Sequence, residues 1–227
     1  VHDCLVENVS IVNSTVDRGL FVMGYDTSTF TMQNITMRNN EAFEYDFGLH
    51  LTGFQIMLDN ILIADSKVNS LPASEFSQGC GGFDIYVTDS LIVRNSKFIN
   101  NTHYSVDGWA NFRVTGEDAD PIETIVFDNC LFANNSTFGG ARDLNFIFGL
   151  VNNITNCTFA NNVSSYPAYL FIEAETNKII NCLFSNNNAH YEIKADESTL
   201  VENCLFTRDR FLYQTFNGMP LNWGSNN

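Results

Sequence analysis

The chain has 227 residues, enough for one domain with a sizeable core or two small ones, and 44% of them are hydrophobic, which excludes a disordered chain. Only 16% are charged, and 26 Asp+Glu against 11 Lys+Arg leave a net charge of −15, so a phosphate backbone or an anionic membrane would be repelled and nucleic-acid binding is set aside. No run of 18 or more apolar residues occurs, so no segment is suited to cross a bilayer as a helix.

Asparagine supplies the missing polarity, with 30 residues, and aromatics at 13%, including 20 Phe, favour strands. The first residues, Val1-His2-Asp3-Cys4, carry neither an initiator Met nor the basic and apolar regions of a signal peptide, and read as the start of a mature or excised piece. Aligning the chain on a single Asn then reveals a repeat. In chain order the units are VENVSIVNS (6–14), MQNITMRNN (32–40), LDNILIADS (58–66), VRNSKFINN (93–101), FDNCLFANN (127–135), ITNCTFANN (154–162), INCLFSNN (180–187) and VENCLFTRD (201–209). The anchors are Asn8, Asn34, Asn60, Asn95, Asn129, Asn156, Asn181 and Asn203, separated by 26, 26, 35, 34, 27, 25 and 22 residues.

Each unit has the same polarity. Two residues before the anchor stands an apolar side chain (Val6, Met32, Leu58, Val93, Phe127, Ile154, Ile179, Val201), and three after it another (Ile11, Met37, Ile63, Phe98, Phe132, Phe159, Phe184, Phe206). One after it comes Val9, Ile35, Ile61, Ser96, Cys130, Cys157, Cys182 or Cys204. Positions one and three after the anchor share a strand face, but the position two before it is out of phase with them, so the chain must bend at the anchor. Asn tolerates the left-handed backbone such a bend needs. A second polar row lies five after the anchor: Asn13, Asn39, Asp65, Asn100, Asn134, Asn161, Asn186 and, breaking it, Arg208.

After a variable loop each unit carries a further strand-like run: 19–23, 48–52, 82–87, 110–114, 144–148, 169–174, 191–195 and, less regularly, 211–216. Three short strands, two bends and one elastic loop describe a coil of a parallel β-helix. The predicted fold is all-β, a single right-handed parallel β-helix (solenoid) of about eight coils over 1–227, within a longer secreted protein. Stacking at about 4.8 Å superimposes equivalent positions, so Phe and Cys form columns and the anchor Asn residues an amide ladder.

The motif NC-x-F-x-NN, with Gly139-Gly140-Ala141 after Phe132-Ala133-Asn134-Asn135, resembles the right-handed parallel β-helix repeat proteins of bacterial surfaces. It is similar in particular to the chlamydial polymorphic outer-membrane proteins with their FxxN and GGA repeats. The FxxN half stands at Phe98–Asn101, Phe132–Asn135, Phe159–Asn162 and Phe184–Asn187, the GGA half once. The closing segment 220–227 looks like the exit of secreted β-helix proteins of environmental bacteria. The resemblance implies export and an extracellular or cell-surface location.

Four cysteines in one column fit neither CxxC nor zinc spacing, leaving buried free thiols or strained bridges between neighbours as the alternatives. Cys4 and Cys80 lie off the column. N-x-S/T triplets at Asn8, Asn34, Asn135, Asn156 and Asn162 arise from the ladder itself. Two repeats, 60–95 and 95–129, carry long insertions, and long loops on a rigid scaffold are where binding is expected. The first functional reading is a structural or adhesive module binding a glycan or a surface protein through loops 66–82 and 101–121, with Tyr104, Trp109, Tyr86 and Glu173 as candidate ligand contacts. No cofactor is called for; Ca²⁺ is the one ion with oxygen ligands on offer, from Glu117, Asp118 and Asp120. The alternative is a polysaccharide lyase or glycoside hydrolase using His50, Asp84 and Arg113 on the outward face of the third strand. Because the first repeat starts at full amplitude without a capping helix, the ends should meet more protein or stack end to end into a filament.

Overall fold

The computed structural model describes residues 3–16, 20–23, 28–42, 48–69, 82–104, 112–116, 122–138, 144–164, 168–188, 191–194, 199–207 and 222–223, some by backbone alone. Among these every regular element is a β-strand, in one sheet of 18 strands and one of six. The strands of neighbouring repeats pair in parallel, position for position. The row two before the anchor runs Val6, Met32, Leu58, Val93, Phe127, Ile154, Ile179, Val201 and on to Trp223. Among the described residues no helix is long and apolar enough to cross a membrane.

The two bends fall where the Asn rows put them. All eight anchors and the seven polar residues five positions on, Asp65 among them, have φ between 52° and 57°. A β-branched or bulky side chain would be strained there, whereas Asn stabilises the turn locally. The bend resets the alternation: in Thr29–Arg38, Met32 is buried, Asn34 exposed, and Ile35 and Met37 buried again. Most repeats thus acquire a short strand between the bends, such as Leu131–Ala133, and six of them, among the described residues, another after the second bend, such as Ser136–Phe138. The latter strands build the six-stranded sheet, which the sequence pattern had not separated from the loops.

A second difference concerns the third run. It is continuous with the strand leading into the next anchor in Leu49–Ala64, Phe83–Arg94, Leu144–Thr155 and Ala168–Ile180. Register shifts between Gly53/Gln55 and between Ile147/Gly149 absorb the change of phase that would otherwise end the strand.

The core is built of columns. Phe98, Phe132, Phe159, Phe184 and Phe206 stack with centroids 4.7, 5.3, 4.8 and 4.8 Å apart, so one ring covers the next. The anchor Asn side chains form a ladder along the surface, Asn34 Nδ2 donating to Asn8 Oδ1 at 3.1 Å and Asn60 to Asn34 at 2.8 Å. The partner is a side-chain oxygen of the preceding repeat rather than a backbone carbonyl. At two points the acceptor is instead the carboxylate just before the preceding anchor: Asn95 donates to Asp59 and Asn156 to Asp128.

A deeper ladder lies six after the anchor, at the Asn of the FxxN motif. Asn40, Asn101, Asn135, Asn162 and Asn187 are at most 1% exposed. Asn162 Nδ2 donates to the Phe132 carbonyl at 2.9 Å and to Asn187 Oδ1 at 2.9 Å, while its Oδ1 accepts the Asn135 backbone N–H at 2.9 Å. These amides satisfy backbone groups that the second bend removes from strand pairing.

Candidate functional site

On the strand after each loop, Phe83, Ile85 and Val87 point inward, fully buried, and Asp84 and Tyr86 point outward; Phe112 and Val114 flank Arg113 in the same way. Register then sets His50 beside Asp84, Asp84 beside Arg113, and Arg113 beside Asn145. The three candidate catalytic residues are therefore adjacent in one row, as their spacing predicts.

Their chemistry is that of a closed ion pair. Arg113 grips Asp84 with both arms, Nε to Oδ1 at 2.7 Å and Nη2 to Oδ2 at 2.6 Å. The same Nη2 donates to the Tyr86 hydroxyl, and the guanidinium carbon lies 5.1 Å from the Tyr86 ring centre. His50 Nδ1 stands 3.5 Å from Asp84 Oδ2, and its ring is 5.7 Å from that of Tyr86. Although outward-facing, Asp84 is 2% and Arg113 6% exposed, so this part of the face is covered. The bidentate guanidinium occupies one edge of the carboxylate with two charge-assisted bonds and fixes its orientation. The row His50, Asp84, Arg113, Asn145, Phe171, Lys194 carries a single carboxylate, that of Asp84.

Tyr86, a candidate ligand contact, accepts a hydrogen bond from Arg113. Glu173 lies on Ala168–Ile180 opposite Ile147, and Tyr104 on Thr102–Tyr104 opposite Asn69; both side chains lie outside the described residues. So do Trp109, Glu117, Asp118, Asp120 and Cys80. Among the described residues no group of three or more His, Cys, Asp or Glu converges on a metal position.

The two long insertions have a defined geometry at their bases. The chain leaves side by side after Asn69 and Tyr104, which pair, and returns side by side at Phe83 and Phe112, which also pair. The loop expected over 101–121 is, however, split by the strand Phe112–Thr115. Most of its extra length lies between Thr115 and Ile122, where Phe83–Arg94 and Leu144–Thr155 run through unbroken. The first return point is tightly fitted: a Cβ on Gly82 would sit 1.8 Å from the Phe112 ring, and one on Gly48 1.4 Å from the Gly82 carbonyl oxygen. Glycine is required there by close approach of backbone and ring. The segments 70–81 and 105–111 therefore share one edge of consecutive repeats, while the segment between Thr115 and Ile122 leaves from the other end of Phe112–Thr115.

Two surface carboxylates serve the ladders. The Asn100 amide and the Arg38 guanidinium hold Asp65 below the usual carboxylate range. Thr155 and Asn156 side chains, with Arg94 nearby, do the same for Asp128. Asp59, Arg94 and Asp128 follow one another in register, a charge-alternating row that single-strand patterning could not reveal.

Cys130, Cys157, Cys182 and Cys204 are free, buried thiols in one column, and half-buried Cys4 is also free. Hydrogen bonds among the sulfurs, together with burial, push the Cys157 and Cys204 thiols well above their ordinary range. Of the glycosylation triplets, Asn135 and Asn162 have no exposed surface, and the amides of Asn8, Asn34 and Asn156 are engaged in the surface ladder. Compared with protein-family models, curated proteins and solved structures, the chain matches none.

Proposed function

We propose that this chain is a right-handed parallel β-helix of about eight coils, acting as a secreted or surface-displayed scaffold that presents loops 66–82 and 101–121 to a glycan or protein partner. The observation that carries this reading is the paired departure and return of segments 70–81 and 105–111 on one edge of consecutive repeats. Such a base sets the roots of two loops side by side, and loops on a rigid framework commonly carry binding. The FxxN pattern supports kinship with bacterial surface β-helix proteins, since its Phe and its Asn fill the two columns that hold neighbouring repeats together. The closed Asp84–Arg113 pair weighs against the lyase or hydrolase reading, because its carboxylate is committed to the guanidinium.

Incubation with acidic and neutral polysaccharides, with and without Ca²⁺, tests both readings, following bound sugar alongside unsaturated products and reducing ends. The expected result is binding without cleavage, weakened at least tenfold by Trp109→Ala. Cleavage abolished by His50→Ala, with the fold retained, would make the protein an enzyme and overturn the scaffold reading.

A further inference from the structure

Phe138 has no part in the core columns. Among the phenylalanines whose side chains are described it alone is exposed, at 40%, the others being buried or half-buried. Leaving a ring in water forgoes much of what burying a large apolar side chain contributes. The other exposed large apolar side chains among the described residues, Leu5, Val12 and Leu205, stand in the first and last repeats. Phe138 lies in an interior repeat, whose Ser136 pairs with Thr102 on one side and Val163 on the other. In Ser136–Phe138 the alternation turns Thr137 into the core, fully buried, and sends Ser136 and Phe138 outward.

The position of the ring ties it to the loop roots. Register sets Phe138 opposite Tyr104, the residue from which segment 105–111 departs. The next strand, Val163–Ser164, ends opposite Thr137, so strand pairing stops one residue short of Phe138 on that side. Thr102 and Ser136, both half-buried, bring two hydroxyls to the same edge. The register positions Thr102, Ser136, Val163, Tyr104 and Phe138 carry no charge. Lys67, opposite Thr102, is paired with Glu41 at 2.9 Å.

We propose that Phe138 is a stacking contact for an uncharged polysaccharide, with the Ser136 and Thr102 hydroxyls beside it. The proposal rests on the loop-binding reading above and narrows its partner to a neutral glycan. The C–H face of a pyranose is apolar and packs on an aromatic ring, while its hydroxyls exchange hydrogen bonds with polar side chains at the ring's edge. An acidic sugar would bring carboxylates to a chain of net charge −15 and meet no free cation among these positions. A protein partner needs a wider apolar patch than one ring supplies.

The test is calorimetric titration of the 227-residue chain with cellohexaose, mannohexaose, chitohexaose and hexagalacturonate, with circular dichroism following the fold of each variant. The expected result is that a neutral hexasaccharide binds, that Phe138→Ala weakens it about tenfold, and that Phe138→Tyr, which keeps the ring, stays within about twofold. Leu205→Ala, which removes an equally wet apolar side chain elsewhere, should leave the affinity unchanged. Neutral-sugar binding weakened by Trp109→Ala but not by Phe138→Ala would overturn the role of Phe138 and keep the loop reading. Binding weakened by Phe138→Ala and untouched by Trp109→Ala would keep Phe138 and overturn the loop reading. Binding of hexagalacturonate alone would overturn the neutral class. No binding of any of these sugars would overturn the proposal and leave the loops to a protein partner.

Discussion

Asn161 and Asn162 are adjacent and chemically identical, yet the fold uses them for different ends. Asn161 is exposed and has φ of 55°, so its task is to let the backbone turn. Asn162 has no exposed surface, and its amide is shared between the Phe132 carbonyl, the Asn135 N–H and Asn187. Replacing Asn161 by Gly should be close to neutral, and by Ala should cost about 1–2 kcal/mol from the left-handed backbone. Asn162→Ala orphans a buried N–H and a buried C=O, at about 1–3 kcal/mol each, and should destabilise by more than Asn161→Ala. Urea unfolding of the three variants checks the order; equal losses for Asn161→Ala and Asn162→Ala would refute the division of labour. The Asn-Asn doublet itself was the signal for the deep ladder, but nothing in the doublet says which Asn turns inward until the phase of the second bend is known.

At the scale of elements, the columns rather than the individual strands are the units of stability. Three-residue strands such as Leu131–Ala133 and Thr158–Ala160 have few backbone bonds of their own and are held by what stacks on them. Phe132 lies between Phe98 and Phe159 and meets Phe112 and Phe127 edge-on or tilted, and it is fully buried. Phe132→Ala should cost about 3–5 kcal/mol, because the repeats above and below cannot close the gap without losing register. Phe132→Leu should cost clearly less, since the same column runs through Ile11, Met37 and Ile63 in the first repeats. Thermal unfolding distinguishes the two. A loss for Leu equal to that for Ala would mean that ring stacking, not volume, holds the column.

For the molecule as a whole, charge sets the conditions of stability. The chain is strongly acidic, at −15, and several carboxylates are drawn into the ladders as hydrogen-bond acceptors. Asp128 receives Thr155 and Asn156 and titrates below its ordinary value, near 3.8. A depressed folded pKa gives stability that is present above the unfolded pKa and is lost as pH falls through the folded one. Asp128→Asn keeps the oxygen acceptor but not the charge. Wild type should therefore exceed this variant in stability at pH 6, with the margin shrinking as pH drops below about 4. Unfolding curves at pH 6 and pH 3 measure it, and a margin that grows on acidification would contradict the assigned direction.

The sequence by itself determined the repeat, its anchors, the inward columns and the adjacency of His50, Asp84 and Arg113, because all of these follow from periodicity: equal positions in equal units must stack. The bend at the anchor was legible for the same reason, since the broken alternation at Asn8 or Asn34 demands a backbone that Asn provides, whereas the row of Asn13 and Asn39 read only as polar. Tertiary structure alone decided what depends on packing between repeats. It turned Asp84 from an outward candidate acid into a buried partner of Arg113 and Tyr86, left the cysteines as thiols, and joined the third run to the next anchor strand through a register shift. Burial and hydrogen-bond partners are properties of neighbours in space, and residues a full repeat apart become neighbours only when the strands of successive repeats pair in register.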